Sequence, residues 1–365
     1  MINNRNTGPT PLPLPVLAAM AQQPLSHRST AFSAALTSVA GQLATLINAP
    51  APALLLSCSG TGGLEATIAS LVTPRSRVLV LSAGAYGDLL ARIAAHYTTQ
   101  LDVMQCSPGT VLSVQATIDR LKQARYDVVL LTHSESSTGI YHPVAEIIAA
   151  VRRYSDALVA VDIVSSIGAS AIDMQRWGAD ALVGATQKGL MAPAGMAIIC
   201  LSERAERHIE RQPAASAYLH LRPWLEASRQ RSVPYTPAMN VFQGVQAALA
   251  MIASEGLEAR YQRHRNAAAR CRAVFADGAQ ARCFAPPEAA GDSITALLLP
   301  ERVSAAAVKA RLERHYDTLV STGLGTLSDR LIRIGHMGYY QPEEIDAALE
   351  AVAQAINEEE AAYGD

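Results

Sequence analysis

Cysteine is scarce in this chain: five in 365 residues (Cys58, Cys106, Cys200, Cys271 and Cys283), an odd number with no C-x-x-C pair. That pattern argues against a disulfide framework or a structural zinc site and fits a reducing compartment. Charge of one sign is lacking too. Thirty Lys and Arg against 32 Asp and Glu leave a formal charge of −2, with no electrostatic footprint for nucleic acid. No apolar run reaches the ~18–20 residues that cross a bilayer. The opening Met1-Ile2-Asn3-Asn4 lacks the basic flank and apolar stretch of a signal peptide. None of the nine histidines has metal-ligand spacing, and there is no H-E-x-x-H, G-x-S-x-G or Walker motif. A soluble, cytoplasmic protein with no nucleic-acid or membrane partner and no metal is the expectation.

Half of the residues are hydrophobic and 17% are charged, so a sizeable core is available. The length suits one large domain and a smaller one. Residues 1–16, with Pro9, Pro11, Pro13 and Pro15, read as an extended arm rather than a helix. A helical pattern covers Ala31–Ile47. Short apolar runs then alternate with helical ones: Ala53–Ser57, Val78–Ser82, Val128–Thr132, Ala157–Val161, Ala181–Val183 and Ala197–Cys200 as strands, with Gly63–Leu71 and Leu89–Tyr97 as helices. This alternation predicts an α/β fold, a mainly parallel sheet covered on both faces. A long helical pattern from Asn240 to Phe275 is interrupted at Gly256. The remainder reads as a small α/β domain, with a helix at Ala305–His315, strands at Thr318–Val320 and Leu331–Ile334, and a closing helix from Pro342 to Glu359. The domain ranges expected are 1–16 for the arm, 17–258 for the large domain and 259–365 for the small one.

Six places in the chain could carry chemistry. Lys188 stands between two apolar runs in Gly184-Ala-Thr-Gln-Lys188-Gly-Leu-Met-Ala-Pro-Ala-Gly195, with no other charge in the segment. A poorly solvated Lys can shed its proton and attack a carbonyl, although a surface Lys in a polar loop is the commoner case. Ser59-Gly60-Thr61-Gly62-Gly63 follows a strand and opens a helix, so its amides can approach a phosphate; a plain tight turn looks the same. Asp162 ends an apolar strand, where open α/β sheets bind ligands, or else it caps the next turn. Thr132-His133-Ser134-Glu135-Ser136-Ser137-Thr138-Gly139 is dense in hydroxyls, as loop-capping serines also are; Tyr86 between glycines suits a flat ring or is an ordinary half-buried Tyr; and Arg333 sits on an otherwise apolar strand, open to a carboxylate partner or an internal salt bridge.

Strand-end Asp162, then Lys188 after the next strand, behind a Gly/Thr loop, is the set that pyridoxal phosphate chemistry requires. At this level the chain resembles the class V pyridoxal phosphate aminotransferases of the alanine–glyoxylate and serine–pyruvate type. The resemblance runs over nearly the whole chain. It takes in Gly8-Pro9-Thr10-Pro11, Ser59-Gly60-Thr61-Gly62, Gly84-Ala85-Tyr86-Gly87 and Glu135-Ser136-Ser137-Thr138-Gly139. Val161-Asp162-Ile163-Val164-Ser165-Ser166, Thr186-Gln187-Lys188-Gly189-Leu190, Tyr235-Thr236-Pro237 and Arg333-Ile334-Gly335-His336-Met337-Gly338 follow, with His27-Arg28 and Glu255-Gly256-Leu257-Glu258 completing it.

The resemblance implies fold type I with pyridoxal 5'-phosphate bound. Lys188 is then the Schiff-base lysine and Asp162 the partner of the pyridine nitrogen. Thr61, Gly62 and Gln187 contact phosphate with Gly63 beside them, Tyr86 stacks on the ring, and Ser136 lies near the 3′ oxygen. Thr236 contacts phosphate in a neighbouring subunit's site, which implies a homodimer. Arg333 takes the substrate carboxylate, with Gly8 nearby. The sequence departs from the family at Tyr86, where several relatives carry Trp, at Thr186, where Ser is common, at Gly63, where some have His, and at Val233, where some have a phosphate-binding Tyr. The activity implied is amino-group transfer from a small amino acid such as Ala, Ser or Gly to a 2-oxo acid such as glyoxylate or pyruvate. A lyase, a desulfurase or an aminoethylphosphonate transaminase is the alternative on the same cofactor.

Overall fold

The computed structural model describes residues 2–362; Met1 and residues 363–365, the outer ends of the expected arm and small domain, lie outside the described residues. The centre is a seven-stranded sheet. Across it the order is Leu54–Leu56, Ala197–Leu201, Ala181–Ala185, Leu158–Asp162, Val128–Thr132, Val78–Ser82 and Leu101–Gln105. Ala197–Leu201 runs antiparallel to both of its neighbours, and all the other pairs are parallel. Successive side chains of these strands point to opposite faces. Val159 and Val161 enter one apolar cluster while Leu158 and Ala160 enter another. Burial on both faces explains why the inner strands read as continuous apolar runs rather than alternating ones.

A second sheet, antiparallel throughout, has the order Arg282–Cys283, Ile294–Leu298, Leu331–Gly335 and Ser321–Thr322. The helices Ala305–His315 and Pro342–Ala362 share its core. The helix Leu257–Val274 spans the expected boundary at 258/259. Its Arg260 donates to the carbonyls of Gly168 (2.9 Å) and Gly189, and the ring of His264 joins the Ala169 carbonyl (3.1 Å) to the Gly338 amide (3.1 Å). One helix thus ties the loop after Lys188 to the turn after Arg333.

Two expectations shift. The arm is extended only to Pro13, because the helix Leu14–Met20 already begins there, with Pro15 in its first turn where a missing N–H costs nothing. Nor do the two glycine-rich loops stay loops. The helix expected from Gly63 begins at Gly60, and that expected from Leu89 begins at Ala85. Thr61 and Tyr86 therefore stand in first helical turns. The edge strand Leu101–Gln105 is absent from the sequence reading; its polar Asp102 and Gln105 and half-open burial leave little hydrophobic signature.

The arm starts as a strand, Asn3–Asn4, parallel to Thr318–Leu319. Arg5 follows, 2% exposed, with its carbonyl accepting from the Gly335 amide at 2.7 Å. Thr10 then donates from its amide to the Gln187 carbonyl (3.0 Å) and from its hydroxyl to the Lys188 carbonyl (3.0 Å). The arm thereby crosses from the small sheet to the lysine loop.

Candidate active site

The carboxyl ends of the central parallel strands and the loop after Ala181–Ala185 open on one cavity. Its walls include Gly8, Ser59, Gly60, Thr61, Tyr86, Ser134, Asp162, Gln187 and Lys188. Of the residues expected in the site, Gly8, Thr61, Tyr86, Asp162, Gln187 and Lys188 line it. No cysteine does.

Lys188 is 8% exposed. Burial, then the charge of Arg333, lowers its amine to about 8, with Asp162 pulling the other way. Nζ donates to the Thr7 carbonyl, and Gly8 lies against the side chain so closely that a Cβ there would sit 2.5 Å from Cδ. Gly8, at φ +117°, is thus needed both for its backbone conformation and for the space. The loop itself is pinned at both ends. Thr186 Oγ1 donates to the Pro193 carbonyl at 2.5 Å, and the Met191 amide donates to the Lys188 carbonyl at 2.9 Å.

Asp162 is 5% exposed and ends its strand. Burial raises its carboxyl to about 7; a hydrogen bond from the Val164 amide (2.7 Å) opposes this, and the charge of Glu135 adds to it. An amine near 8 and a carboxyl near 7 in one cavity are both poised to exchange protons around neutrality.

The Gly60–Leu71 helix presents its N-terminus to the cavity, with Ser59 Oγ accepting from the Gly62 amide at 3.1 Å. The glycines have different jobs. A Cβ on Gly62 would lie 2.9 Å from Cys58 Cβ, and one on Gly63 would lie 2.6 Å from Ala197 Cβ. Gly63 thus faces the sheet and lets the helix pack on it, while Gly60 and Thr61 line the cavity. Cys58 is half-buried against this turn, and burial pushes its thiol up to about 11.

Arg333 and Ser136 do not line this cavity, but they meet each other. Arg333 Nη1 donates to the Ser136 carbonyl (2.9 Å) and Nε to the Thr322 carbonyl (2.8 Å). Burial lowers the Arg333 guanidinium, and Tyr86 and Glu135 partly offset that. Thr236 stands apart: it is exposed, and its hydroxyl is 3.4 Å from His27 Nε2. Two residues without an assigned role in the sequence reading matter here. Ser134 lines the cavity, and the buried Glu135 binds the segment that carries Tyr86. The density of hydroxyls drew attention to that loop, but nothing in it distinguished the carboxylate.

The arrangement fits pyridoxal phosphate on its own terms. A helix N-terminus with small residues suits a phosphate, a strand-end carboxyl suits a protonated ring nitrogen, and a buried amine suits an aldehyde. Ser136 Oγ and Gln187 Oε1 are buried polar atoms with no partner in the chain. Such orphans are costly unless something else satisfies them.

The comparisons agree. The chain matches the family Aminotransferase class-V over residues 2–348. A protein of Synechococcus sp. (strain PCC 6716) named soluble hydrogenase, small subunit, is 30% identical over 354 residues, 96% of this chain and 92% of that protein. The serine–glyoxylate aminotransferase of Methylorubrum extorquens is 34% identical over 230 residues, 60% of this chain and 56% of its own. The crystal structure of ureidoglycine–glyoxylate aminotransferase from Bacillus subtilis superposes with a TM-score of 0.93 at 28% identity, covering 99% of this chain and 94% of that one. The chain belongs to the class V aminotransferases, pyridoxal phosphate-dependent enzymes of fold type I.

Proposed function

We propose that this aminotransferase moves an amino group from a small amino acid, of the Ala, Ser or Gly kind, to glyoxylate or pyruvate. The observation that carries the reading is the pairing of Lys188, lowered to about 8, with Asp162, raised to about 7, in one cavity at the strand ends. Glyoxylate occurs in the names of the Methylorubrum and Bacillus relatives, and it is the first acceptor to test.

Gly60, Thr61 and Gly62 at the helix N-terminus, with Gln187, would hold the cofactor phosphate, and Gly63 lets that turn seat on the sheet. Asp162 would hold a proton at the ring nitrogen, Tyr86 would cover the ring, and Ser136 Oγ would reach its hydroxyl. When bound, the cofactor supplies a sink for the electron pair released at the substrate's α-carbon. Lys188, its proton weakly held, takes and returns the proton at that carbon. Arg333 binds the carboxylate common to amino acid and 2-oxo acid, so one cation serves both half-reactions. Gly8 and Pro9 close over the amine and keep water from it.

Adding candidate amino acids one at a time to the cofactor-loaded protein tests the reading by absorbance. Loss of the visible band, restored by glyoxylate or pyruvate, identifies donor and acceptor together. Release of ammonia without any acceptor overturns it in favour of elimination. Arg333→Ala should raise KM for both substrates by ~10–100-fold, the worth of a charged hydrogen bond, with the cofactor still bound. If only one half-reaction suffered, Arg333 would not be the shared anchor.

Thr236 is exposed and does not line its own cavity, which suits service in a neighbouring subunit of a homodimer. The exposed Leu14 (79%) and Leu17 (46%) of the nearby helix suit such an interface. Mixing Lys188→Ala protein with Thr236→Val protein, each inactive or weak alone, should restore about a quarter of wild-type activity by statistical exchange. No recovery after full subunit exchange puts Thr236 in its own protomer's site or in none. Five unpaired cysteines suit a reducing, cytoplasmic setting. No helix among the described residues is long and apolar enough to cross a membrane.

A further inference from the structure

We infer that Glu135 is a positioning residue whose carboxylate fixes the backbone beneath Tyr86 and, through its own loop, the carbonyl that aims Arg333. The inference rests on the roles proposed above for those two residues.

Glu135 is fully buried. Its oxygens accept from the backbone amides of Tyr86 (3.1 Å), Gly87 (3.1 Å) and Ser137 (3.1 Å), and from the Ser137 hydroxyl (2.5 Å). The Ser137 hydroxyl in turn accepts from the Ala85 amide (3.2 Å). The first three amides of the helix Ala85–Ala94 are therefore satisfied by a segment some fifty residues away in sequence. A helix N-terminus favours an anion, and its open amides need acceptors.

The local chain cannot do this job. Gly84, at the cap position, has no side chain, and a Cβ there would lie 2.6 Å from both Glu135 Cδ and Ser137 Oγ. The usual solution, a Ser, Thr, Asp or Asn at the cap, is absent so that the distant carboxylate can enter. A cap alone does not need that arrangement. What it adds is a rigid link between separate parts of the site. Glu135 holds the Tyr86 backbone directly. One residue before it, Ser134 lines the cavity; one residue after it, the Ser136 carbonyl accepts from Arg333. The carboxylate also stands close enough to Asp162 and Arg333 for its charge to influence both.

Glu135→Gln keeps the shape, removes the charge, and turns one acceptor into an NH₂ group that faces backbone amides. The cofactor-free protein should lose hydrogen-exchange protection at the Tyr86 and Gly87 amides. Its Kd for pyridoxal 5'-phosphate, read by intrinsic fluorescence, should rise about 10-fold or more, and KM for the amino acid should rise more than kcat falls, since small misplacements cost up to ~100-fold. Gly84→Ala displaces the carboxylate while keeping its charge, and should weaken cofactor binding in the same direction. Ser137→Ala keeps the carboxylate and should do so less. These two variants decide the matter if Glu135→Gln does not fold.

Wild-type cofactor affinity and KM in a folded Glu135→Gln protein, with only its thermal stability lowered, would overturn the inference and leave Glu135 a structural cap. Failure of the wild-type protein to bind pyridoxal 5'-phosphate through Lys188 would instead remove the functional reading beneath it.

Discussion

Lys188→Ala should slow transamination by at least ~10⁴-fold, because the proposed nucleophile and proton carrier disappear together. Lys188 is the only amine among the residues lining the cavity. The nearest other cation, Arg333, holds its proton too tightly to serve as a base. Burial and the charge of Arg333 lower the Lys188 amine to about 8, so an appreciable fraction is unprotonated near neutrality, where an exposed Lys would have almost none. The variant should still fold, since truncation leaves only the Thr7 carbonyl without its donor. The measurement is borohydride treatment followed by mass analysis of peptides, alongside single-turnover rates. Wild type should carry the reduced cofactor on the peptide containing Lys188, and the variant on none. Cofactor fixed to another lysine, or a rate within tenfold of wild type, would remove Lys188 from the centre of the site.

Asp162→Asn should give a slower enzyme on a more stable cofactor-free protein. The carboxyl rises from 3.8 to about 7, chiefly because the site is buried. Between those two values the folded chain holds a proton that the unfolded chain has already released. Stability therefore falls as pH rises through that window, and above about 7 the whole cost is present. At about 1.4 kcal/mol for each tenfold change in proton affinity, that cost is on the order of 4 kcal/mol at pH 8. Asn keeps an oxygen for the Val164 amide but carries no charge to bury. Thermal melts of cofactor-free protein from pH 4 to 8 should show wild type falling behind the variant as pH increases. Catalysis should drop by at least ~10²-fold, the usual worth of one preorganised electrostatic group. A variant that melts below wild type at pH 8 would mean that Asp162 is stabilised in its charged form, contrary to the burial argument.

The part of the site legible in the sequence is the part made by strand ends. Five-residue apolar runs stop at Asp162 and just before Lys188, and a polar residue placed there after such a run stands out. Thr61 and Tyr86 were recognisable from their glycines, but not as helical residues. Those helices start early because Ser59 caps one and Glu135 with Ser137 caps the other. The second of these contacts joins positions fifty residues apart and leaves no local signal. Gly63 illustrates the same limit: its neighbour is Ala197 on a strand far along the chain, so its place beside the turn at residues 59–62 in sequence does not reveal which way it faces. The edge strand Leu101–Gln105 and the buried Arg260, which grips two loop carbonyls, are likewise products of tertiary contact rather than of pattern.

The path of the amino-terminal arm sets an order of events during translation. Ribosomes release a chain amino end first, at ~5–20 residues per second. The last strand of the central sheet ends at Leu201, so the lysine-bearing sheet has all its strands well before synthesis is complete. Asn3 and Asn4 find their strand partners only when Thr318 and Leu319 have emerged, and Arg5 meets Glu344 (3.7 Å) later still. Residues 3–5 are thus among the last to find their partners. Before then the arm already has partners in the lysine loop, through Thr10 and the Thr7 carbonyl. A chain cut short before Thr318 would keep those contacts but would lack the strand that anchors Asn3 and Asn4 and the Arg333 proposed to hold the substrate carboxylate.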